Sequence, residues 1–314
     1  MLAPQGEPAA GIATETLFAR LSHADVEKIT SRLSDEHRAR YEQAGSLERK
    51  RLALAFGLFY GVENVDRRTE LTAVLPPEGV HLMDRQLVEQ TGGAYRYADL
   101  VLDFLTASGQ PLARGDKVLD FSSSSGRVVR VLAAARPDVS WHGCDPNQGA
   151  IAWAAQNLPQ VDFFVSDTAP PLPFEDGTLA AAYAISVWSH YNAAAALRWF
   201  DEMHRVIRPG GHLIFTTHGM NSTAWFSSFR DSSIDAVLGE SWVLETVDRL
   251  QSDGHCFWDV FGERGDDGVL AGDWGLAFFT PEWLMERVTP AWGVTYYRIG
   301  RADGNQDAFA LRRR

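Results

Sequence analysis

The stretch that decides the fold is KVLDFSSSSGR, residues 117–127. A short apolar run ends at Phe121, and a helical pattern begins at Arg127. The serine-rich residues between them predict a tight turn from a strand into a helix. Such a turn presents backbone N–H groups and the positive end of a helix to a carboxylate or phosphate, and it is where a doubly wound sheet binds its ligand.

Downstream of this turn, short apolar runs alternate with helical patterns. Four further strands are predicted, ending at Asp145, Asp167, Val187 and His218, with helices at 127–135 and 193–207 and a turn at 208–211. The alternation predicts βαβ units and a parallel sheet. The runs at 292–300 and 307–313 predict an antiparallel hairpin. We therefore predict an α/β fold, with a Rossmann-like, doubly wound, mostly parallel seven-stranded sheet that ends in an antiparallel C-terminal hairpin.

The residues before this sheet have a helical pattern. We predict a poorly ordered tail over 1–14, helices over 22–33 and 46–61, and two short helices within 76–112 that are separated by Gly92 and Gly93. The predicted organisation is an N-terminal helical cap region over 1–114 and a Rossmann-like domain over 115–314. That domain contains an aromatic-rich insertion at about 219–290.

Composition and charge argue against several classes of partner. The chain has 314 residues and a formal net charge of −12, which argues against nucleic acid as a partner because phosphate binding relies on Lys and Arg. The two cysteines, Cys144 and Cys256, have no neighbours at metal-ligand spacing, so no metal is expected. The first thirty residues have no apolar run of signal-peptide length after a basic start, and no later stretch approaches the length of a membrane helix. A cytoplasmic protein with a small-molecule partner and no membrane association is expected, and the oligomeric state is left open.

Three acids follow three consecutive predicted strands. Asp120 lies at the end of the first, next to its last residue Phe121, Asp145 lies 25 residues further on and ends the second, and Asp167 ends the third. A carboxylate at the second position can accept hydrogen bonds from ribose hydroxyls, and one at the third can accept from an adenine amine. Each Asp could instead cap the next helix. Three acids at one edge favour a ligand site.

An ordered series of motifs runs from Lys117 to Gly219: VLDFSSSSGR, GCDPN, AIAWAAQN, VDFFVSD, PPLPF, AISVWSH, EMHRVIRPGG and IFTTHG. This series resembles class I S-adenosylmethionine-dependent methyltransferases, most closely a bacterial group linked to carbohydrate and natural-product methylation. The resemblance implies S-adenosyl-L-methionine as the cofactor and assigns it a set of binding residues. These are Asp120 at the methionine amine, Phe121, Ser122, Ser124 and Gly126 beside the methionine and ribose, Asp145 at the ribose, Pro146 on the adenine, Asp167 and Thr168 at the adenine edge, and Ser186 with Val187 under the transferred methyl group.

The chain departs from the family at two positions of the turn. The family usually has glycine where Ser122 and Ser124 stand, and only Gly126 is kept. Glycine permits positive φ and close approach of a ligand, so serine there could alter or abolish cofactor binding.

Candidate catalytic groups are His190 and His218, which follow the fourth and fifth strands. Histidine titrates in the range needed to take a proton from a hydroxyl acceptor, although either ring could simply hydrogen-bond a loop. Asp273 and His255 are weaker candidates.

The aromatic residues of the insertion could form a lid over the acceptor or the core of a capping subdomain. These aromatics are Trp258, Phe261, Trp274, Phe278, Phe279 and Trp283. The segment Gly93–Tyr97 could close the site from the other side.

The predicted function is S-adenosylmethionine-dependent methylation of a small-molecule hydroxyl, such as a sugar on a glycoside or natural product. The alternative is a non-catalytic protein that keeps the fold with a degenerate cofactor turn. A nicotinamide dehydrogenase is disfavoured because the first turn has no G-x-G-x-x-G.

Overall fold

The structure is a computed structural model that describes residues 10–77, 80, 87–229, 232–262, 265, 272–302 and 304–314. The helices are α1 (Ile12–Phe18), α2 (His23–Ser31), α3 (Asp35–Gln43), α4 (Ser46–Phe59), α5 (Val65–Thr69), α6 (Leu87–Ala107), α7 (Val129–Ala135), α8 (Gln148–Asn157), α9 (Ala193–Val206), α10 (Met220–Ser228), α11 (Ser232–Leu238), α12 (Trp242–Asp253) and α13 (Pro281–Val288). The strands are β1 (Lys117–Phe121), β2 (Ser140–Asp145), β3 (Val161–Val165), β4 (Leu179–Ala184), β5 (Ile207–Thr217), β6 (His255–Trp258), β7 (Leu276–Phe279), β8 (Trp292–Ala302) and β9 (Gln306–Arg313).

Seven strands form one sheet in the order β3-β2-β1-β4-β5-β9-β8. β1 pairs parallel with β4, and β4 pairs parallel with β5, whereas β9 is antiparallel to both β5 and β8. All six residues of β4 are buried, as expected for a parallel strand whose two faces are both covered. The predicted fold class is therefore confirmed, including the C-terminal hairpin.

The segment at 208–211 is not a turn that precedes the fifth strand, as the sequence predicted. It lies inside β5, which starts at Ile207. Leu179 pairs with Ile207, but Ala181 pairs with His212, so the register shifts between these two pairs. A Cβ atom at Gly211 would lie 2.6 Å from the carbonyl oxygen of Ala180. The extra residues thus form an irregularity of the β-bulge kind, and glycine is needed where the two backbones approach.

The prediction of two helices separated by Gly92 and Gly93 is wrong. Helix α6 runs through both glycines without a break. A glycine inside a helix costs about 1 kcal/mol relative to alanine, and burial of apolar side chains offsets that cost. The buried apolar residues of α6 include Ala94, Tyr95, Ala98, Val101, Leu102, Phe104 and Leu105.

The predicted N-terminal tail is also corrected in part. Residues 1–9 lie outside the described part of the chain, but α1 begins at Ile12, inside the stretch expected to be poorly ordered. Two buried carboxylates from α6 accept hydrogen bonds from the backbone at the first turn of α1. Asp103 accepts from the backbone N–H of Gly11 at 3.1 Å, and Asp99 accepts from that of Thr14 at 2.8 Å. Negative charge at a helix N-terminus is favourable, and these partners are far away in sequence, so local composition could not predict the helix.

The chain divides into two compact units. One comprises Met1–Asp116, Ser123–Gly143 and Gln148–Phe164, and the other comprises Lys117–Ser122, Cys144–Asn147 and Val165–Arg314. The predicted boundary at residue 114 stays a prediction. In the second unit, the insertion consists of α10 to α13 and the two-stranded sheet of β6 and β7. Within the described ranges, no helix is long and apolar enough to cross a membrane.

Candidate active site

The carboxyl ends of β1, β2 and β3 meet around Asp145. Its backbone oxygen accepts from the N–H of Ser166 at 3.2 Å. Its side chain is held at both oxygens, because the hydroxyl of Ser122 donates to Oδ2 at 3.2 Å and the N–H of Asn147 donates to Oδ1 at 2.9 Å. Asp120 and Asp145 are both buried. The strand ends therefore hold two carboxylates, and Asp145 has a fixed orientation.

The titratable groups next to these carboxylates are neutral. Burial raises the pKa of the Cys144 thiol to about 12. Burial, followed by the charge of Asp120, raises the pKa of Tyr183 well above its usual value, and Tyr183 is the β4 partner of Asp120 in the parallel register. Burial also raises the pKa of Tyr191. At neutral pH these three groups keep their protons, so Cys144 is not a nucleophile.

The turn after β1 keeps a glycine-type backbone although it has lost two glycines. φ is +64° at Ser122, +48° at Ser124 and +78° at Gly126. A Cβ atom at Gly126 would lie 2.7 Å from Leu158 Cδ1, which explains why this glycine is retained. Left-handed backbone costs a non-glycine residue roughly 1–2 kcal/mol. The serines therefore preserve the path of the turn, at the cost of local strain.

We expect the double variant Ser122→Gly, Ser124→Gly to bind S-adenosylmethionine about tenfold more tightly than the wild type, because removing two Cβ atoms permits closer approach of the ligand to the backbone. Calorimetric titration measures the effect. Ser122→Ala keeps the Cβ atom and loses only the hydroxyl. Ser125→Gly changes a residue of the same turn that does not have positive φ. Neither control should tighten binding, and unchanged affinity in the double variant would contradict the prediction.

The other predicted cofactor residues lie near the same strand ends, but the ring of Phe121 is turned into the core. Asp167 and Thr168 are exposed directly after β3, and Pro146 is half-buried directly after β2. The ring of Phe121 is buried, with its centroid 4.5 Å from that of Trp199. Only the main chain of Phe121 can therefore face a cofactor. The adenine contacts assigned to the other three residues stay predictions.

His190 lies in the loop after β4, against the insertion. Its Nδ1 is 2.7 Å from the carbonyl oxygen of Gly275, and its ring stacks on that of Trp274 with centroids 4.6 Å apart. Since a carbonyl oxygen only accepts, Nδ1 must carry the proton. The basic nitrogen of the neutral ring is then Nε2.

The loop that contains His190 is paired with the strand segment around Gly275. The N–H of Gly275 donates to the carbonyl of His190 at 2.8 Å, and the N–H of Ala277 donates to that of Ser189 at 2.7 Å. Asp273, a weaker candidate, pairs with Arg198 at 2.7 Å. Its charge is therefore engaged at the edge of this segment.

His218 is buried at the end of β5 and has a different environment. Its Nδ1 is 3.2 Å from the carbonyl oxygen of Ala277, and its Nε2 is 3.3 Å from Nε2 of Gln306. Burial, together with the nearby His190, lowers the pKa of His218 to about 3. The ring is neutral at physiological pH, and both of its nitrogens are engaged. Its proposed role as a base stays a prediction that this geometry does not favour.

Gln306 is a site residue that sequence reasoning missed. It is the first residue of β9, and its side chain is buried. Its Nε2 donates to Ser186 Oγ at 2.7 Å, and its Oε1 accepts from Thr216 Oγ1 at 2.6 Å. Ser186 itself has a φ of +61°. Gln306 lies 120 residues from Ser186, and a lone Gln in a hairpin gives no sequence signal of such a contact.

The aromatic residues of the insertion mostly form a core. Phe226, Trp242 and Phe278 are buried in one cluster with Trp258 packed against it, and Phe279 and Trp283 are buried as well. His255 lies beside Trp283, with ring centroids 5.0 Å apart. Next to His190 lie Trp274 and Phe261, whose ring centroid is 6.3 Å away. Of the six aromatics named in the sequence analysis, Trp274 and Phe261 are the two with a ring contact to His190.

The described residues include no group of three His, Cys, Asp or Glu side chains placed to bind a metal ion.

The segment predicted to close the site lies in the first unit. Tyr95 is buried there, and Arg127 lies over the ring of Tyr97 at 5.3 Å. Closure of the site by this segment stays a prediction.

Comparison with known proteins identifies the domain. Residues 118–211 match the family described as "Methyltransferase domain". The chain is 32% identical over 148 residues to phthiotriol/phenolphthiotriol dimycocerosates methyltransferase 1 of Mycobacterium ulcerans, which covers 45% of this chain and 52% of that protein. It is 36% identical over 100 residues to demethylmenaquinone methyltransferase of Beutenbergia cavernae, which covers 32% of this chain and 40% of that protein.

Among solved structures, an S-adenosylmethionine-dependent methyltransferase from Methanosarcina mazei aligns with a TM-score of 0.46 and 19% identity, over 64% of this chain and 94% of that chain. The chain spans about half the length or less of the two curated relatives. The family match covers β1 to the start of β5. Residues 118–211 thus match a methyltransferase domain, and the enzyme class and cofactor predicted from the sequence agree with that match.

Proposed function

We propose that this protein transfers a methyl group from S-adenosylmethionine to a hydroxyl of a small molecule. The observation that carries the proposal is that Asp120 lies one residue before the end of β1 and Asp145 ends β2, with the Asp145 side chain held by hydrogen bonds at both carboxylate oxygens. A fixed carboxylate at the second strand end is suited to bind a ribose.

The residues present fit the cofactor. The turn keeps its left-handed path at Ser122, Ser124 and Gly126, so its main chain has the form that close ligand approach requires. Bound S-adenosylmethionine supplies a methyl group activated on a sulfonium. Asp120 would hold the methionine amine, Asp145 the ribose hydroxyls, and Asp167 with Thr168 the adenine edge.

The chain contributes alignment and a proton acceptor. Ser186 and Val187, directly after β4, would lie under the methyl group and fix its direction. His190 has Nδ1–H bound to the Gly275 carbonyl, which directs Nε2 to accept the proton of an acceptor hydroxyl. A ring held in one tautomer by a backbone carbonyl is suited to act as a general base.

The acceptor we propose is a small neutral molecule, such as a sugar on a glycoside or natural product. The net charge of −12 disfavours a polyanion, and the relatives compared above are named for small-molecule acceptors. The pair of Trp274 and Phe261 beside His190 offers apolar surface against which a sugar ring or an aromatic aglycone can pack. The proposed setting is the cytoplasm.

The experiment has two stages. Calorimetric titration of the ligand-stripped protein with S-adenosylmethionine and S-adenosylhomocysteine tests the cofactor site, and micromolar binding of both is expected. Transfer of labelled methyl to a panel of glycosides and hydroxylated natural products then tests the reaction. No binding at millimolar ligand would favour the alternative, a non-catalytic protein with a degenerate turn, for which the strained Ser122 and Ser124 are the specific observation.

A further inference from the structure

A closed set of hydrogen bonds joins β4, β5 and β9 at the carboxyl edge of the sheet. The N–H of Ser186 donates to Thr216 Oγ1 at 2.8 Å, Thr216 Oγ1 donates to Gln306 Oε1 at 2.6 Å, and Gln306 Nε2 donates to Ser186 Oγ at 2.7 Å. The second N–H of the Gln306 amide points to His218 Nε2 at 3.3 Å. Ser186 Oγ continues the set to Ser189 Oγ at 3.2 Å.

The donor and acceptor in each of these hydrogen bonds can be assigned from the tautomer of His218. His218 Nδ1 faces the carbonyl oxygen of Ala277, which only accepts, so Nδ1 carries the proton and Nε2 of the neutral ring has a lone pair. A lone pair must face a donor, which places the Nε2 amide group of Gln306 next to His218. The Oε1 atom of Gln306 must then accept from Thr216. No other side chain type supplies two donors and one acceptor in this planar arrangement except the shorter Asn.

These hydrogen bonds affect the proposed reaction because they hold Ser186. Its φ of +61° is costly for a residue with a Cβ atom, and such strain persists only where the surroundings over-determine it. Both its N–H and its hydroxyl are held, the first by Thr216 and the second by Gln306. The loop that leaves Ser186 reaches His190 four residues later.

We propose that Gln306 is a positioning residue of the methyl-transfer site, which holds Ser186 in its left-handed conformation and keeps His218 neutral by donating to its Nε2. This inference rests on the proposed function in that the loop it fixes would lie under the transferred methyl group. A neutral His218 leaves no added positive charge near a donor whose sulfonium is itself a cation. Burial of the ring acts in the same direction and lowers the pKa of His218.

Two other titratable groups bear on this arrangement. Burial lowers the pKa of His218, and the charge of His190, on the loop after β4, lowers it further. Asp307, the next residue of β9, accepts from the hydroxyl of Tyr297 at 2.9 Å and from the N–H of Gly300 at 2.9 Å. Burial raises the pKa of the Asp307 carboxyl. Gln306 is the group in direct contact with His218 Nε2.

The test compares Gln306→Glu with Gln306→Met. An ionised glutamate places a carboxylate where the amide donor stood, and His218 Nε2 then takes a proton to meet it. We expect the His218 imidazole of Gln306→Glu to titrate between about pH 5 and 8, the range of an unshifted or raised histidine, whereas the wild-type ring stays neutral there. Imidazole NMR signals of the protein without cofactor measure this, with His218→Gln used to assign the resonance.

Kinetics test the second part of the proposal. Gln306→Met has a similar length and no donor, and we expect kcat to fall about tenfold with the cofactor Kd within about threefold of the wild type, the loss typical of one misplaced positioning contact. A cooperative thermal transition in each variant confirms folding. A His218 ring that stays neutral in Gln306→Glu, or full kcat in folded Gln306→Met, would overturn the proposal. If the wild type fails to bind S-adenosylmethionine while His218 of Gln306→Glu titrates, the proposed function is wrong and the contact between Gln306 and His218 stands.

Discussion

Turnover of the His190→Ala variant is expected to fall about 100-fold or more, while its dissociation constant for S-adenosylmethionine stays within about twofold of the wild-type value. The reason is the position of the ring. Nδ1 is bound to the Gly275 carbonyl and the ring is stacked on Trp274, so Nε2 is presented in one orientation. Removing the ring removes the proposed proton acceptor, and we expect the strand ends around Asp145 to stay unchanged.

The measurement is methyl transfer to any hydroxyl acceptor that the wild type uses, followed over pH. His190→Asn is the informative companion, because its amide can still donate to the Gly275 carbonyl but has no basic nitrogen. It should lose turnover as the alanine variant does. His255→Ala changes a histidine of the insertion that lies beside Trp283, and it should keep full turnover. Full turnover in His190→Ala would remove His190 as the base.

The second large effect concerns Asp145. Replacing it with alanine is expected to raise the Kd for S-adenosylmethionine at least tenfold and up to about 100-fold, because a hydrogen bond to a charged group contributes about 1.5–3 kcal/mol and a ribose offers two hydroxyls. Asn147 and Ser122 fix the carboxylate beforehand, so little ordering is needed on binding. The ligand is titrated calorimetrically.

A deoxyribose analogue makes this test specific. S-adenosylhomocysteine that lacks the 2′-hydroxyl should bind the wild type more weakly than the parent compound, and the difference should shrink in Asp145→Ala. Asp162→Ala, on an exposed position of β3, serves as the control and should bind as the wild type does. An unchanged Kd in Asp145→Ala would show that the ribose is held elsewhere.

The parts of the fold that the sequence predicted well are those decided by neighbours along the chain. The ends of β1 and β2 at Phe121 and Asp145 follow from apolar runs broken by polar residues. Helix α2 was predicted from a capping pattern, and Ser22 and Asp25 form that capping box. In these cases the local signal and the final structure depend on the same few residues.

The parts that could not be predicted depend on distant contacts. The continuity of α6 through Gly92 and Gly93 depends on packing against other helices, which outweighs a local propensity. Gln306 reaches Ser186 across the sheet, and no pattern in either segment indicates it. The left-handed backbone at Ser122 and Ser124 is set by the turn's path and not by serine's preference.

The pairing of Ser189 and His190 with Gly275 and Ala277 has a consequence for protein engineering. The carbonyl that sets the tautomer of His190 belongs to the insertion and lies outside residues 118–211, the part that matches the methyltransferase domain family. A chimera that exchanges the insertion to change acceptor preference would also exchange the group that orients His190. Under the proposed role of His190, acceptor selectivity and proton transfer would change together, and we expect a graft that keeps 273–277 with its parent loop to stay active.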